Sequence, residues 1–446
     1  MIKYIKYIFF LILILLNNCS FDKKSGIWSG YEEEIKRVAE LESESKIISS
    51  KIITSEDEFS KVVLTSRSIT LDSPKNNNSW PMSGLNLQNS SGNLYFPGLK
   101  SIFLKKKVGK NKFNFYQKMQ SPIFFENDLV VSDDVGSIKR ISKQGKVYWK
   151  VRIYEKIYKK LYKNLTFALH NSNIYVADNI GFVYAINYKN GELIWKKNFG
   201  VPFKSSLKIL NNKIFVINQD NRILCLDSTD GSVIWDVATI QTFIKSQNLL
   251  GLAITKNENL IALNTAGDVL KINGKNGHII WFMNSLTSTS EHETDFFKSS
   301  DIVVRGNDVV FSSVSSTFSL NLNNGYINWM AKPRSSNTPI IAGNNIFLVT
   351  DGGFFVNLDR TTGKIVFSTN ILKVLKKKAR RTGISGYVMG SGKIYITTLN
   401  GHLIVCSSTG KVESYKKIAK SINTSPIISN GELYILTSKS KILGFK

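Results

Sequence analysis

The sequence predicts an all-β protein, an eight-bladed β-propeller of four-stranded antiparallel blades whose ring is closed by a strand from the N-terminal side. Three observations carry that expectation. A unit of 38 to 48 residues repeats along most of the chain, each unit carries a Gly-x-x-x-Trp step, and the last unit stops one strand short.

Two successive copies, IYVADNIGFVYAINYKNGELIW (174–195) and IFVINQDNRILCLDSTDGSVIW (214–235), show the unit. An alternating run of β-branched and aromatic residues is followed by a Gly or Asn turn and a second alternating run. A polar turn ending in Gly and a final run carrying Trp complete three hairpin-linked strands. A further strand comes first, often opened by proline, as at Pro122, Pro339 and Pro426. Proline is tolerated there because the first position of a strand needs no ladder donor. The step recurs as Gly145/Trp149, Gly191/Trp195, Gly231/Trp235, Gly277/Trp281 and Gly325/Trp329, continues as Gly363/Phe367 and decays to Gly410/Ser414. The glycine supplies a positive φ between strands three and four, and the tryptophan is placed to cover the junction with the adjacent blade.

Seven full units begin near residues 121, 165, 203, 247, 297, 335 and 384. Residues 421–446 supply strands one to three of an eighth unit and no fourth. Ser101 to Lys107 has the character of the segment that starts at Trp195, so it is the candidate for the missing strand and would remove the open edge of the ring. Because the count rests on pairing the two ends, a seven-bladed ring with a loose extra hairpin is the alternative.

The 446 residues are 42% hydrophobic, enough for a substantial core. The 59 Lys and Arg against 33 Asp and Glu give a formal charge of +26. Lys, Asn, Ile and Ser are over-used in strands, turns and tails alike, so the charge reads as compositional drift rather than as a nucleic-acid site. Residues 1–18 combine Lys3 and Lys6 with an apolar run, Ile8 to Leu16, that is too short to span a bilayer. That is the pattern of a secretory signal peptide. Residues 19–79 read as a polar tether in which Ile35, Val38 and Leu41 recur at the spacing of a short helix. Residues 80–446 are the expected propeller.

The motif Ala/Cys-x-Asn/Asp-x-x-x-Gly-x-x-x-Trp resembles the repeat of quinoprotein-type (PQQ-like) propellers, and WPMSGLN (80–86) looks like the lead-in that often precedes such rings. Leu16-Asn17-Asn18-Cys19 resembles a bacterial lipobox, which implies acylation of Cys19, and Ser20 after it implies the outer membrane as destination. Signal peptide, lipobox, tether and bare ring together resemble the BamB family of outer-membrane assembly lipoproteins. The resemblance implies a scaffold with no catalytic site and no cofactor, lipid-anchored at the periplasmic face of the outer membrane. It further implies a BamA-type barrel protein as partner, nascent outer-membrane proteins as clients, and no nucleic acid. By the same resemblance, the docking loops follow the fourth strands of neighbouring blades and fall on Phe243, Ile244 and Lys245 in one and on Asp295 in the next. An exposed aliphatic beside a cation suits docking, the one supplying burial and the other orientation.

Two rivals remain at this stage: another periplasmic binding or structural propeller, and a quinone-dependent dehydrogenase. The dehydrogenases resemble the same repeat but add a vicinal Cys-Cys and acidic and amide calcium ligands. The three cysteines here, Cys19, Cys225 and Cys406, include no such pair, and the last two fall four blades apart, too far to join. His170, His278, His292 and His402 are scattered one to a unit without metal-ligand spacing. The densest charge run, Lys373 to Arg381, lies between the sixth and seventh units; it reads as a solvated loop, with anionic lipid as the alternative partner.

Overall fold

Each unit folds as its alternation dictates. In a computed structural model describing residues 68–112, 118–158, 161–242, 249–286, 298–313 and 316–446, the third unit forms strands Lys208–Leu210, Lys213–Ile217, Arg222–Asp227 and Val233–Ala238, paired antiparallel in chain order. Seven sheets are built from consecutive strands in this way, their first strands opening at Ile123, Leu165, Lys208, Leu252, Val303, Ile340 and Ile384. The first two strands of a blade meet at a two-residue turn with both residues left-handed, as at Asn211 (φ 49°) and Asn212 (φ 58°). That geometry matches the twist of the strands and selects Asn and Gly.

The eighth sheet closes the ring. Ile427–Ser429, Glu432–Leu436 and Lys441–Phe445 supply its first three strands, and Ile102–Lys107 from the other side of the chain pairs antiparallel with the third. The loose-hairpin alternative is thereby excluded. Lys100 and Ser101 both donate their N–H to the Lys446 carbonyl at 2.8 Å, and the Lys446 N–H returns a bond to Ser101 at 3.0 Å. The two ends of the ring are thus held by main chain rather than by side-chain chance.

Inner strands are buried on both faces because blades stack against each other. Val216, Ile223 and Leu226 have almost no exposure, whereas the outer strand Val233–Ala238 exposes alternate residues on the rim. The stacking has a repeated mechanical device. The Asn or Asp of the motif opens the last turn: the Asn187 Oδ1 accepts the Lys189 N–H at 2.9 Å, and the Gly191 N–H closes back on the Asn187 carbonyl at 2.9 Å. The tryptophan four residues on then reaches into the next blade. Trp149 Nε1 donates to the Tyr188 carbonyl at 2.9 Å and Trp195 Nε1 to Ser228 at 2.9 Å. Trp235 reaches Gly274 at 3.3 Å, Trp281 reaches Leu322 at 3.1 Å, and Trp329 reaches Arg360 at 2.8 Å. Each acceptor lies three residues before the glycine of that next blade.

Gly231 shows why glycine is needed twice over. Its φ is +73°, where side chains are strained, and a Cβ would lie 2.6 Å from the Trp195 ring packed on it. Phe367 occupies the same place over Gly410, where a Cβ would lie 2.8 Å from its ring, but offers no donor. The motif's decay at Ser414 follows from closure. The next blade is the eighth, whose third and fourth strands come from opposite ends of the chain, so it has no turn there for an indole to cover. Across the seam, Leu104 and Lys106 of the closing strand pack on Gly145 instead.

Trp329→Phe keeps the ring but takes away the indole donor of the Arg360 carbonyl, an expected cost of about 1–2 kcal/mol. Gly325→Ala adds strain at φ +75° and a methyl 2.7 Å from Trp281, and should lower the urea midpoint further. Equal midpoints for both variants and the native protein would contradict the inter-blade role.

Candidate functional site: a plugged channel with one open mouth

The first strands of the eight blades surround a central channel, and the segment before the closing strand crosses one end of it. Trp80 exchanges main-chain bonds with Phe124 of blade 1 at 2.6 and 3.1 Å, and the Pro81 carbonyl accepts from Leu169 of blade 2 at 2.8 Å. The Leu87 carbonyl takes the Ile254 N–H of blade 4 at 2.8 Å, and the Gln88 carbonyl takes that of Val304 in blade 5 at 2.9 Å. Asn345 of blade 6 donates to Thr70 at 2.8 Å, Ser391 of blade 7 to Leu94 at 2.7 Å, and Asn430 of blade 8 to Asn77 at 2.7 Å. Asp72 adds an ion pair with Arg305 and accepts the Gly343 N–H at 2.9 Å. Thr70, Asp72 and Asn77, read from the sequence as part of the polar tether, thus bond to blades 5, 6 and 8.

The remaining blade is held by a buried lysine. Lys208, on the innermost strand of blade 3, has no exposed surface and donates to the carbonyls of Ser83 at 2.7 Å and Asn86 at 2.9 Å and to Asn89 Oδ1 at 2.5 Å. Asn89 in turn donates from Nδ2 to Leu252 at 2.9 Å and Ile302 at 2.7 Å, in blades 4 and 5. One ammonium and one amide thus tie the plug to three blades, with donors and acceptors matched as a buried polar network requires.

Burial pushes the Lys208 ammonium down to about 8, the Asp301 carboxylate acting against it. Lys118, deep in the channel and donating to Asn337 Oδ1 at 2.8 Å, is pushed to about 8 by the same cause, opposed by Asp301 and Asp351. Asp301 accepts the Leu252 and Ile302 N–H groups at 3.0 Å each, and burial raises its carboxyl. On the side away from the plug the channel opens as a cavity of about 440 Å³, with Ser83 of the plug, Lys118, Lys204, Ser299 and Asp301 among its lining residues.

Described residues of the segments that join a fourth strand to the next blade's first strand, Phe203, Lys204, Ser336 and Asn337 among them, line this open side. Thr242, which bonds Thr265 at 2.6 Å, and Leu249, which lines the mouth, flank residues 243–248. Leu286 and Lys298 flank residues 287–297. Phe243, Ile244, Lys245 and Asp295 themselves, like Cys19 and the 1–18 signal segment, lie outside the described residues. The Lys373–Arg381 run is held in two short 3-10 turns, Ile371–Val374 and Lys377–Ala379, by Arg380 donating to the carbonyls of Leu375 and Lys373 at 2.9 Å, which leaves its lysines exposed. Sequence reasoning missed the plug contacts and the channel lysines. The signal for Lys208 was a lysine set between Leu207 and Ile209 in a strand otherwise apolar on both faces.

The residues of the channel do not fit a quinone with calcium. Cys225 and Cys406 are free and buried in blades 3 and 7, their thiols pushed up to about 12 chiefly by burial. Among the described residues, no three His, Cys, Asp or Glu gather as metal ligands, and the cavity wall presents lysines and amides around one carboxylate, Asp301.

Fold and channel define a class: an eight-bladed propeller of the quinoprotein-like type, with its channel plugged at one end. Residues 134–369 match the family described as outer membrane protein assembly factor BamB, and the chain belongs to that family. The outer membrane protein assembly factor BamB of Yersinia pestis is 21% identical over 390 residues, covering 82% of this chain and 95% of that protein. Among solved structures, BamB from Moraxella catarrhalis superposes with a TM-score of 0.63 at 12% identity, over 77% of this chain and all of that one. A europium-containing methanol dehydrogenase gives 0.64 at 11% identity, over 81% of this chain and 90% of that one. At these identities the two structures share the fold with this chain.

Between a folded-state value of about 8 and an ordinary lysine at 10.5, the unfolded chain binds more protons at Lys208, so stability rises as pH climbs through that window. Lys208→Met should cost about 2–4 kcal/mol by orphaning the plug's acceptors. It should also flatten the rise in urea midpoint between pH 8 and pH 10. Equal slopes for the variant and the native protein would show that Lys208 titrates as a surface lysine does.

Proposed function

We propose that this chain is a non-catalytic scaffold of outer-membrane protein assembly, anchored through lipid on Cys19 at the periplasmic face and docked on a BamA-type barrel protein. The observation that carries this reading is the family match across residues 134–369, which runs from the third strand of the first blade to the last strand of the sixth on a closed ring. The channel's poor fit to a quinone and calcium supports a binding role over the dehydrogenase reading. In the sequence, residues 243–245 and 295 follow the fourth strands of consecutive blades, Val233–Ala238 and Ile279–Asn284, and an aliphatic-plus-cation pair after one with an acid after the next suits a single partner surface. Insertion of outer-membrane proteins would then be aided by what the ring holds in place rather than by chemistry it performs.

Affinity capture of the native protein from detergent-solubilised membranes should recover a BamA-type barrel protein in near-stoichiometric amount. Ile244→Glu with Lys245→Glu should reduce that recovery at least about tenfold with the melting temperature unchanged, as expected for central interface residues. Cys19→Ala should release the protein from the membrane fraction. Capture of a different envelope protein in place of the barrel would contradict the reading.

A further inference from the structure

We propose that the open mouth of the channel is a binding site for a small organic carboxylate. The cavity of about 440 Å³ has the size of small-molecule sites generally. Three features point to an anion. Lys204 lines the mouth half-buried, and no acceptor among the described residues reaches its ammonium. Lys118 lines it with one amide, Asn337 Oδ1, as its partner among the described residues. Ser299 Oγ, on a residue only 4% exposed, has no hydrogen-bond partner among the described residues. Buried polar groups are rarely left open, and these three are donors.

Charge decides between a monoanion and a more highly charged ligand. The Lys208 cation is spent on the plug's acceptors. Among the described residues the cavity wall then carries Lys118 and Lys204 against Asp301, a net charge of one. The Asp301 carboxylate is bound by two backbone N–H groups rather than paired within salt-bridge distance of either lysine, so both ammonium groups remain available. A phosphate dianion would meet that carboxylate without a third free cation, whereas one carboxylate is matched. Phe203, Leu249 and Ile384 form an apolar part of the wall and ask for a hydrocarbon body behind the charge. Asn164 Oδ1, also without a partner among the described residues, takes a donor on the ligand or a water.

The site is independent of the barrel-docking reading, and its test uses no partner protein. Titration calorimetry of the full-length native protein at pH 7 would use 3-phenylpropionate, benzoate and succinate, each beside its neutral amide. The proposal expects a one-to-one complex with an aromatic carboxylate, at least tenfold weaker binding of the matching amide, and at least tenfold weakening in Lys204→Met. Ser299→Ala should weaken binding severalfold with an unchanged melting temperature, which keeps the test valid should Lys204→Met fail to fold. Equal binding of acid and amide, full affinity in both variants, or no binding by any of the three acids at millimolar concentration would each overturn it.

Discussion

A propeller stands or falls on the contact between one blade and the next, because no blade buries both of its faces alone. Here the contact is an indole laid on a glycine turn, its Nε1–H bonded to a carbonyl of the neighbouring blade, and it recurs at five junctions from Trp149 to Trp329. The device joins packing to polar satisfaction, since the same ring covers apolar surface and uses up a turn carbonyl that would otherwise lie against it. Glycine is the residue whose turn tolerates that close approach. Everything else in the structure either repeats this arrangement or replaces it where the ring must close.

Closure is where replacement is needed, and three different parts supply it. The strand Ile102–Lys107 gives the eighth blade its outer edge, and the Lys446–Ser101 main-chain bonds lock the seam. The plug, residues 70–96, reaches all eight blades, partly through Lys208 and Asn89. The consequence is an asymmetric ring. One end of the channel is filled by the protein's own chain, and the other is an open, cation-bearing mouth among the loops that follow the fourth strands. A binding scaffold needs such a difference between its faces, because it decides which side is left free for partners.

How far this was legible in the sequence follows from what kind of signal each part leaves. Repeated elements are written many times, so the Gly-x-x-x-Trp step and the eight-blade count could be read directly, including the identity of the closing strand at 101–107. Even the decay at Gly410/Ser414, which looks like noise in the sequence, is a closure signal: no turn follows for an indole to cover. The plug occurs once and lacks regular strand structure. Trp80 and Gly84 were visible through a family likeness, but Thr70, Asp72 and Asn77 looked like a polar tether because their partners lie more than 200 residues away. Lys204 was hidden for a related reason, since among 59 basic residues a lysine stands out only where its neighbours are apolar, as they are beside Lys208.

The central claim is that the plug and the closing strand are structural parts of the ring, as firmly held as its inner strands. Hydrogen exchange followed by mass spectrometry on the intact protein tests this most directly. Peptides covering 70–96 and 102–107 should exchange as slowly as those covering Ile214–Ile217 and Leu260–Leu263, because their amide bonds open only when the ring does. Rapid exchange across 70–96 and 102–107, with the inner strands still protected, would show a ring that holds together without them and would contradict the account.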